Sequence, residues 1–353
     1  MRMPLLCWCA WFLGAVPLAA QRAPFTVGTV TARPGARASG YLDVAAGADT
    51  GTRIPITVIH GAAPGPVLAL IAGTHGSEVA PILALHRVRR DLDPAALRGT
   101  VLLVHIANVP SFARRTIYYS PIDGKNLNRV YPGKADGTVS ERIAHTLTTE
   151  VIARADYLVD MHAGDGNEDL VPYNYWNRLG LDARADSIGR EMALAWGNRG
   201  IVIDTARPRD PAASVYTQNT AHLRGKPAIT TEGGSLGLPV PEMIQRNYDG
   251  AFRLLRHFRM LDGTPERTVH AVWYAHTEVL RSPATGVWLP QVRPGEYVTA
   301  GTLVGTVTDY FGDPVAEIRA PFTGVILYVV VTPAMNDGEP VGMVAVPQDD
   351  WRD

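Results

Sequence analysis

The chain has 353 residues, 46% hydrophobic, 19% charged and 8% aromatic, with 33 basic residues against 34 acidic ones. That composition excludes disorder, collagen and coiled coil and is enough for a large core without disulfide or metal staples. The near-zero net charge leaves no basic footprint for nucleic acid and no polybasic membrane patch.

Residues 1–20 read as a secretory signal: Arg2, an uncharged apolar stretch, then Leu18-Ala19-Ala20 as a cleavage point. The run is short for a membrane span, and no later apolar run approaches twenty residues, so no stable membrane insertion of the mature chain is expected. Both cysteines, Cys7 and Cys9, fall in this segment. Its removal leaves an exported chain with no disulfide, thiol nucleophile or thiolate ligand.

Short strands and turns occupy residues 25–60. Residues 67–72 form a continuous apolar run, expected as a strand buried on both faces, and 78–90 has helical periodicity. A second buried strand is expected at 101–106. Residues 107–137, rich in Gly, Pro, Asn and Tyr, read as a long functional loop. A helix is expected over 140–154 with Ser140 as its cap, then a strand at 157–161, a helix at 184–196, a strand at 227–231 and a helix at 241–258. This alternation argues for an α/β domain over 21–267 with a largely parallel sheet. From 268 to 348 the chain changes to short β-type runs between Pro-Gly and Gly turns, expected as a small all-β domain, with 349–353 a tail.

Three expected strand ends carry metal-type chemistry. After 67–72 comes Gly73-Thr74-His75-Gly76-Ser77-Glu78; the next ends in Asp160-Met161-His162-Ala163-Gly164; the third in Thr231-Glu232-Gly233-Gly234. Open α/β sheets place sites outside the C-terminal ends of their strands. His75, Glu78 and His162 make a His₂Glu set that leaves a position open for water, as in catalytic zinc sites, although other divalent metals suit the same donors. Glu232 is placed to act as general base and then acid. Asp160, two residues before His162, lies on the same strand face and can orient its imidazole; a solvated strand-end carboxylate is the alternative. His60, His86, His105 and His145 are expected to be structural. In the long loop, Asn128 and Arg129 offer an amide and a guanidinium to a substrate carboxylate.

The ordered set Gly-x-His-Gly-x-Glu, Asn-Leu-Asn-Arg-x-aromatic-Pro-Gly, Asp-x-His and Thr-Glu-Gly-Gly, over roughly residues 60–345, resembles the succinylglutamate desuccinylase/aspartoacylase family, related to the carboxypeptidase A-type zinc enzymes. The resemblance implies a carboxypeptidase-like mixed sheet flanked by helices, with a lipoyl-like barrel-sandwich C-terminal domain. It also implies one Zn2+ on His75, Glu78 and His162, a base at Glu232, and a small carboxylate-bearing substrate held near Asn128 and Arg129. The reaction implied is hydrolysis of an N-acyl amide. Members often use a further arginine to polarise the scissile carbonyl; here Arg114 and Arg115 are the candidates, with Tyr118 and Tyr119 close by. No lysine follows Lys226, so the C-terminal domain cannot carry lipoate or biotin covalently. Two other functions compete: an exported metallocarboxypeptidase trimming short or cell-wall peptides, and a serine esterase using Ser235 of Gly233-Gly234-Ser235-Leu236-Gly237.

Overall fold

The computed structural model describes residues 22–348, so the expected signal segment and the tail lie outside it. Its centre is a 13-stranded mixed sheet. Five strands carry the site's surroundings and lie side by side in the order Gly200–Asp204, Tyr173–Asn177, Ala228–Glu232, Tyr157–His162, Ala63–Ala72. Tyr157–His162 runs parallel to both Ala63–Ala72 and Ala228–Glu232, which brings three strand ends to one edge of the molecule. Tyr173–Asn177 is inserted antiparallel to Ala228–Glu232.

Burial on both faces explains the unbroken apolar runs. Leu68, Leu70 and Ala72 face one core with helices Val79–Asp91, Ala183–Trp196 and Pro241–His257. Ala69 and Ile71 face a second core with helix Val139–Thr146. Two turns depend on glycine. Gly73 has φ +69°, and a Cβ on Gly76 would meet the Ser111–Phe112 backbone at 2.3 Å. The loop carrying His75 therefore turns sharply and packs backbone to backbone.

Several boundaries differ from the sequence reading. The loop after Ile106 contains a short helix, Val109–Arg114. The helix expected over 140–154 is α-helical over Val139–Thr146 and continues as a π turn, Leu147–Val151, and a 3-10 turn, Ile152–Arg154, and its cap is Thr138 rather than Ser140. Thr138 and Glu141 form a capping box, while Asp49 and Asp123 accept the backbone N–H groups of Val139 and Ser140. Charged groups brought in from other segments finish the helix start, which local pattern cannot reveal.

Residues 268–348 contain strands and no helix. Four strands form a separate antiparallel sheet. Strand Val272–Arg281 instead joins the large sheet, pairing parallel to Gly200–Asp204 and antiparallel to Pro340–Gln348. The three-residue strand Glu168–Leu170, just beyond His162, pairs with Gly324–Val330. Among the described residues no helix is long and apolar enough to cross a membrane.

Candidate metal centre and active-site cavity

His75, Glu78 and His162 converge at the shared strand edge, their ligand atoms all within 4.8 Å of one another. His75 leaves the Gly73 turn and Glu78 directly precedes helix Val79–Asp91, while His162 is the last residue of its strand. Both imidazoles aim Nδ1 at the Glu78 carboxylate, at 2.7 Å from His75 and 3.1 Å from His162. Each far nitrogen faces an acceptor, and that of His162 also faces the amide donor of Asn128. His75 Nε2 lies 3.1 Å from Asn126 Oδ1, and His162 Nε2 lies 3.1 Å from Asp160 Oδ2, with the Asn128 amide nitrogen at 3.2 Å. The fully buried Asp160 charge favours the His162 proton on Nε2. Nδ1 is then the lone-pair face of each ring, as metal ligation requires.

Electrostatics agree with a cation at this point. Burial alone would lower both histidine pKa values, yet both are raised: His75 by Glu78, and His162 by Asp160 and Glu78. Burial would raise Glu78, but the His162 and His75 imidazoles hold it down at about 2. Glu78 Oε2 is buried without a hydrogen bond. Two nitrogens, one carboxylate and an unused carboxylate oxygen fit a zinc-type divalent ion.

Glu232 is His162's register partner on the neighbouring parallel strand. Burial pushes its carboxyl well above the usual range; the His162 charge opposes the shift, and Glu78, Glu168 and Asp160 add to it. A buried carboxyl whose hold on its proton is strengthened in this way suits a role in proton transfer. Glu232 lines a cavity of about 930 Å³ together with the three candidate ligands. The cavity wall also includes Asn128, Arg129, Tyr118, Glu168, Tyr173, Tyr175 and, from the C-terminal region, His276, Arg281, Tyr328 and Met335.

Asn128 is buried, its Oδ1 accepting from the Thr217 backbone N–H and hydroxyl. Arg129 stacks on Tyr216 with its guanidinium 4.8 Å from the ring centroid. Arg207, which sequence reasoning missed, stacks on the same ring at 4.0 Å and is held by Asp204 at 2.6 Å. Its segment follows strand Gly200–Asp204, another strand end, and that position was the available signal.

Arg114 and Arg115 are not brought to the cavity. Helix Val109–Arg114 ends in a left-handed residue, Arg115 at φ 57°, and both side chains are exposed. The chain then returns inward, so Tyr118 lines the cavity with its ring edge-on to His75 at 5.8 Å. Of the four histidines expected to be structural, two are buried against hydroxyls: His60 on Thr100 and His105 on Thr57.

Ser235 lacks the esterase geometry. A nucleophile elbow needs a helix directly after the serine, whereas here the helix begins at Pro241. The Ser235 hydroxyl donates to Asp169 at 2.5 Å. Ser235→Ala should keep close to wild-type turnover in a hydrolysis assay, whereas losing a serine nucleophile costs about a million-fold.

Comparison with known proteins agrees with the motif order. The model of the succinylglutamate desuccinylase/aspartoacylase catalytic domain matches residues 64–258, more than half of the chain. N-alpha-acetyl-L-2,4-diaminobutyric acid deacetylase of Halomonas elongata is 29% identical over 300 residues, covering 83% of this chain and 85% of that protein. Among solved structures, the ectoine utilization protein EutE (DoeB) of Ruegeria pomeroyi, in its product-bound form, superposes with a TM-score of 0.79 at 26% identity. It covers 92% of this chain and 98% of that one. A succinylglutamate desuccinylase/aspartoacylase from Rhodobacter sphaeroides gives 0.78 at 26% identity, over 90% and 97% of the two chains. The chain belongs to the succinylglutamate desuccinylase/aspartoacylase family.

Proposed function

We propose that this chain is a zinc-dependent hydrolase that cleaves the amide bond of a small N-acyl amino acid. The observation that carries the reading is the register pairing of Glu232 with His162, which sets a proton-carrying carboxyl beside a His₂Glu cluster in one cavity. The deacetylase relative supports amide cleavage, since its name specifies an N-acetylated amino acid.

His75, Glu78 and His162 would hold the zinc, which supplies Lewis acidity when bound. Glu232 takes a proton from the attacking water and returns it to the leaving amine. Asp160 keeps the His162 ring oriented through Nε2. Arg129 and Arg207, both presented by the ring of Tyr216, receive the substrate carboxylate. The tyrosine hydroxyls of the far wall and the C-terminal strands limit the room left for the acyl and amino acid portions.

A panel of N-acyl amino acids and short peptides, assayed with the zinc-loaded protein, tests the reading. Release of amino acid from the acylated series should exceed that from tri- and tetrapeptides. Preference for the peptides would replace deacylation with carboxypeptidase action on the same residues.

A further inference from the structure

The cavity holds a group that the proposed reaction does not use. Glu168 lines it, on the short strand joined to Gly324–Val330, and its Oε1 accepts a 2.6 Å hydrogen bond from the Tyr118 hydroxyl. Tyr118 is itself fixed: its backbone N–H donates to Asp165 Oδ2 at 2.9 Å, and its φ is 59°. Next to Glu168, Asn167 lines the same cavity at 8% exposure, and its Oδ1 has no hydrogen-bond partner. The Tyr118 hydroxyl meets both side chains, and beyond it the recessed carboxylate keeps lone pairs and Asn167 Oδ1 stays unused, on two consecutive residues that line the cavity.

The surrounding charge sharpens the mismatch. Burial raises the Glu168 carboxyl to about 7; the Tyr118 hydrogen bond opposes the shift, while Asp165 and Glu78 add to it. Glu232 feels Glu78, Glu168 and Asp160 in the same direction. No lysine or arginine is among the main influences on either group. Tyrosine hydroxyls and ring faces, at Tyr118, Tyr173, Tyr175 and Tyr328, complete this side of the wall. Recessed carboxylates next to aromatic rings suit a cation with several N–H donors.

We propose that Glu168 and Asn167 Oδ1 form a subsite for a primary ammonium group on the substrate. This rests on the N-acyl amino acid reading and deepens it: the substrate carries a positive charge as well as a carboxylate. Glu168 is then a specificity-determining residue, and Tyr118 is the positioning residue that aims it. The ammonium belongs either to the amino acid portion, as in an acylated diamino acid, or to the acyl portion, as in an aminoacyl amide.

The test is calorimetric binding to zinc-loaded Glu232→Gln protein, with three ligands of matched shape. N-acetyl-2,4-diaminobutyrate places the ammonium on the amino acid side, glycyl-2-aminobutyrate on the acyl side, and N-acetyl-2-aminobutyrate has neither. One of the two charged ligands should bind at least about ten-fold more tightly than the neutral one, as expected for a charge-assisted hydrogen bond. Adding Glu168→Gln should abolish that gain and leave the neutral ligand unchanged. Glu168→Asp, which keeps the charge but withdraws it, should retain part of the gain, and thermal melting checks that each variant is folded. Equal affinities for all three ligands, or an equal loss for all three on Glu168→Gln, would overturn the subsite alone. Failure of all three ligands to bind would overturn the N-acyl amino acid reading and the subsite together.

Discussion

Glu232→Gln is expected to keep its metal and lose turnover by about a hundred- to ten-thousand-fold, the usual contribution of a positioned general acid–base. The substitution is nearly isosteric and sits at the end of a strand hydrogen-bonded on both sides, to Tyr157–His162 and to Tyr173–Asn177. The backbone therefore has little reason to move. What changes is the ability to carry a proton, because an amide cannot take one from water at neutral pH. The loss should fall on kcat more than on KM, since the carboxylate-gripping side of the cavity, at Arg129 and Arg207, is untouched. Steady-state kinetics with metal analysis of the same sample separates the outcomes. Near wild-type kcat with metal retained would assign the base elsewhere; lost metal would make Glu232 part of the ion's support.

His75→Ala is expected to remove the metal itself. The three donors are close together and buried, so two cannot wrap an ion that the third has left. The substitution also leaves Asn126 Oδ1 and Glu78 Oε1 without the imidazole between them. Purified wild-type protein should hold about one zinc per chain, since only one such donor group is found among the described residues. Zinc bound at a hundred times its dissociation constant stabilises a fold by about 2.7 kcal/mol. The wild type should therefore melt several degrees higher with zinc than after chelation, and His75→Ala should melt at the same temperature in both. A zinc-dependent shift of equal size in both proteins would place the ion away from this cluster.

These two substitutions probe the most legible part of the chain. A buried parallel strand is written as an apolar run, and the residue after the run sits at the sheet's C-terminal edge, so His75, His162 and Glu232 could be grouped before their distances were known. Strand identity needs only local pattern, and the sheet does the rest. Glu168 was not legible, and Arg207 only as a residue close to a strand end, for the opposite reason. Arg207 reaches the cavity by stacking on Tyr216, nine residues away across a loop, and Glu168 through a three-residue strand whose partner lies some 160 positions later. Arg114 and Arg115 lie outside the cavity where the chain turns through two left-handed residues, Arg115 and Tyr118, and neither residue type marks that conformation. The change of texture near 267 marks where helices stop among the described residues, but Val272–Arg281 extends the large sheet, and pairing across such a distance has no sequence period.

That continuous sheet has a mechanical consequence. Strand Val272–Arg281, which lines the cavity, hangs on the same hydrogen-bond ladder as the strands that end at Glu232 and His162, through Gly200–Asp204. No free swivel separates the part that does the chemistry from the part that screens what enters. One sheet therefore places this strand and the strand ends that carry the chemistry. Replacing an exposed lining residue of that strand, such as His276, would then change the cavity wall without disturbing the strand ends that carry His162 and Glu232.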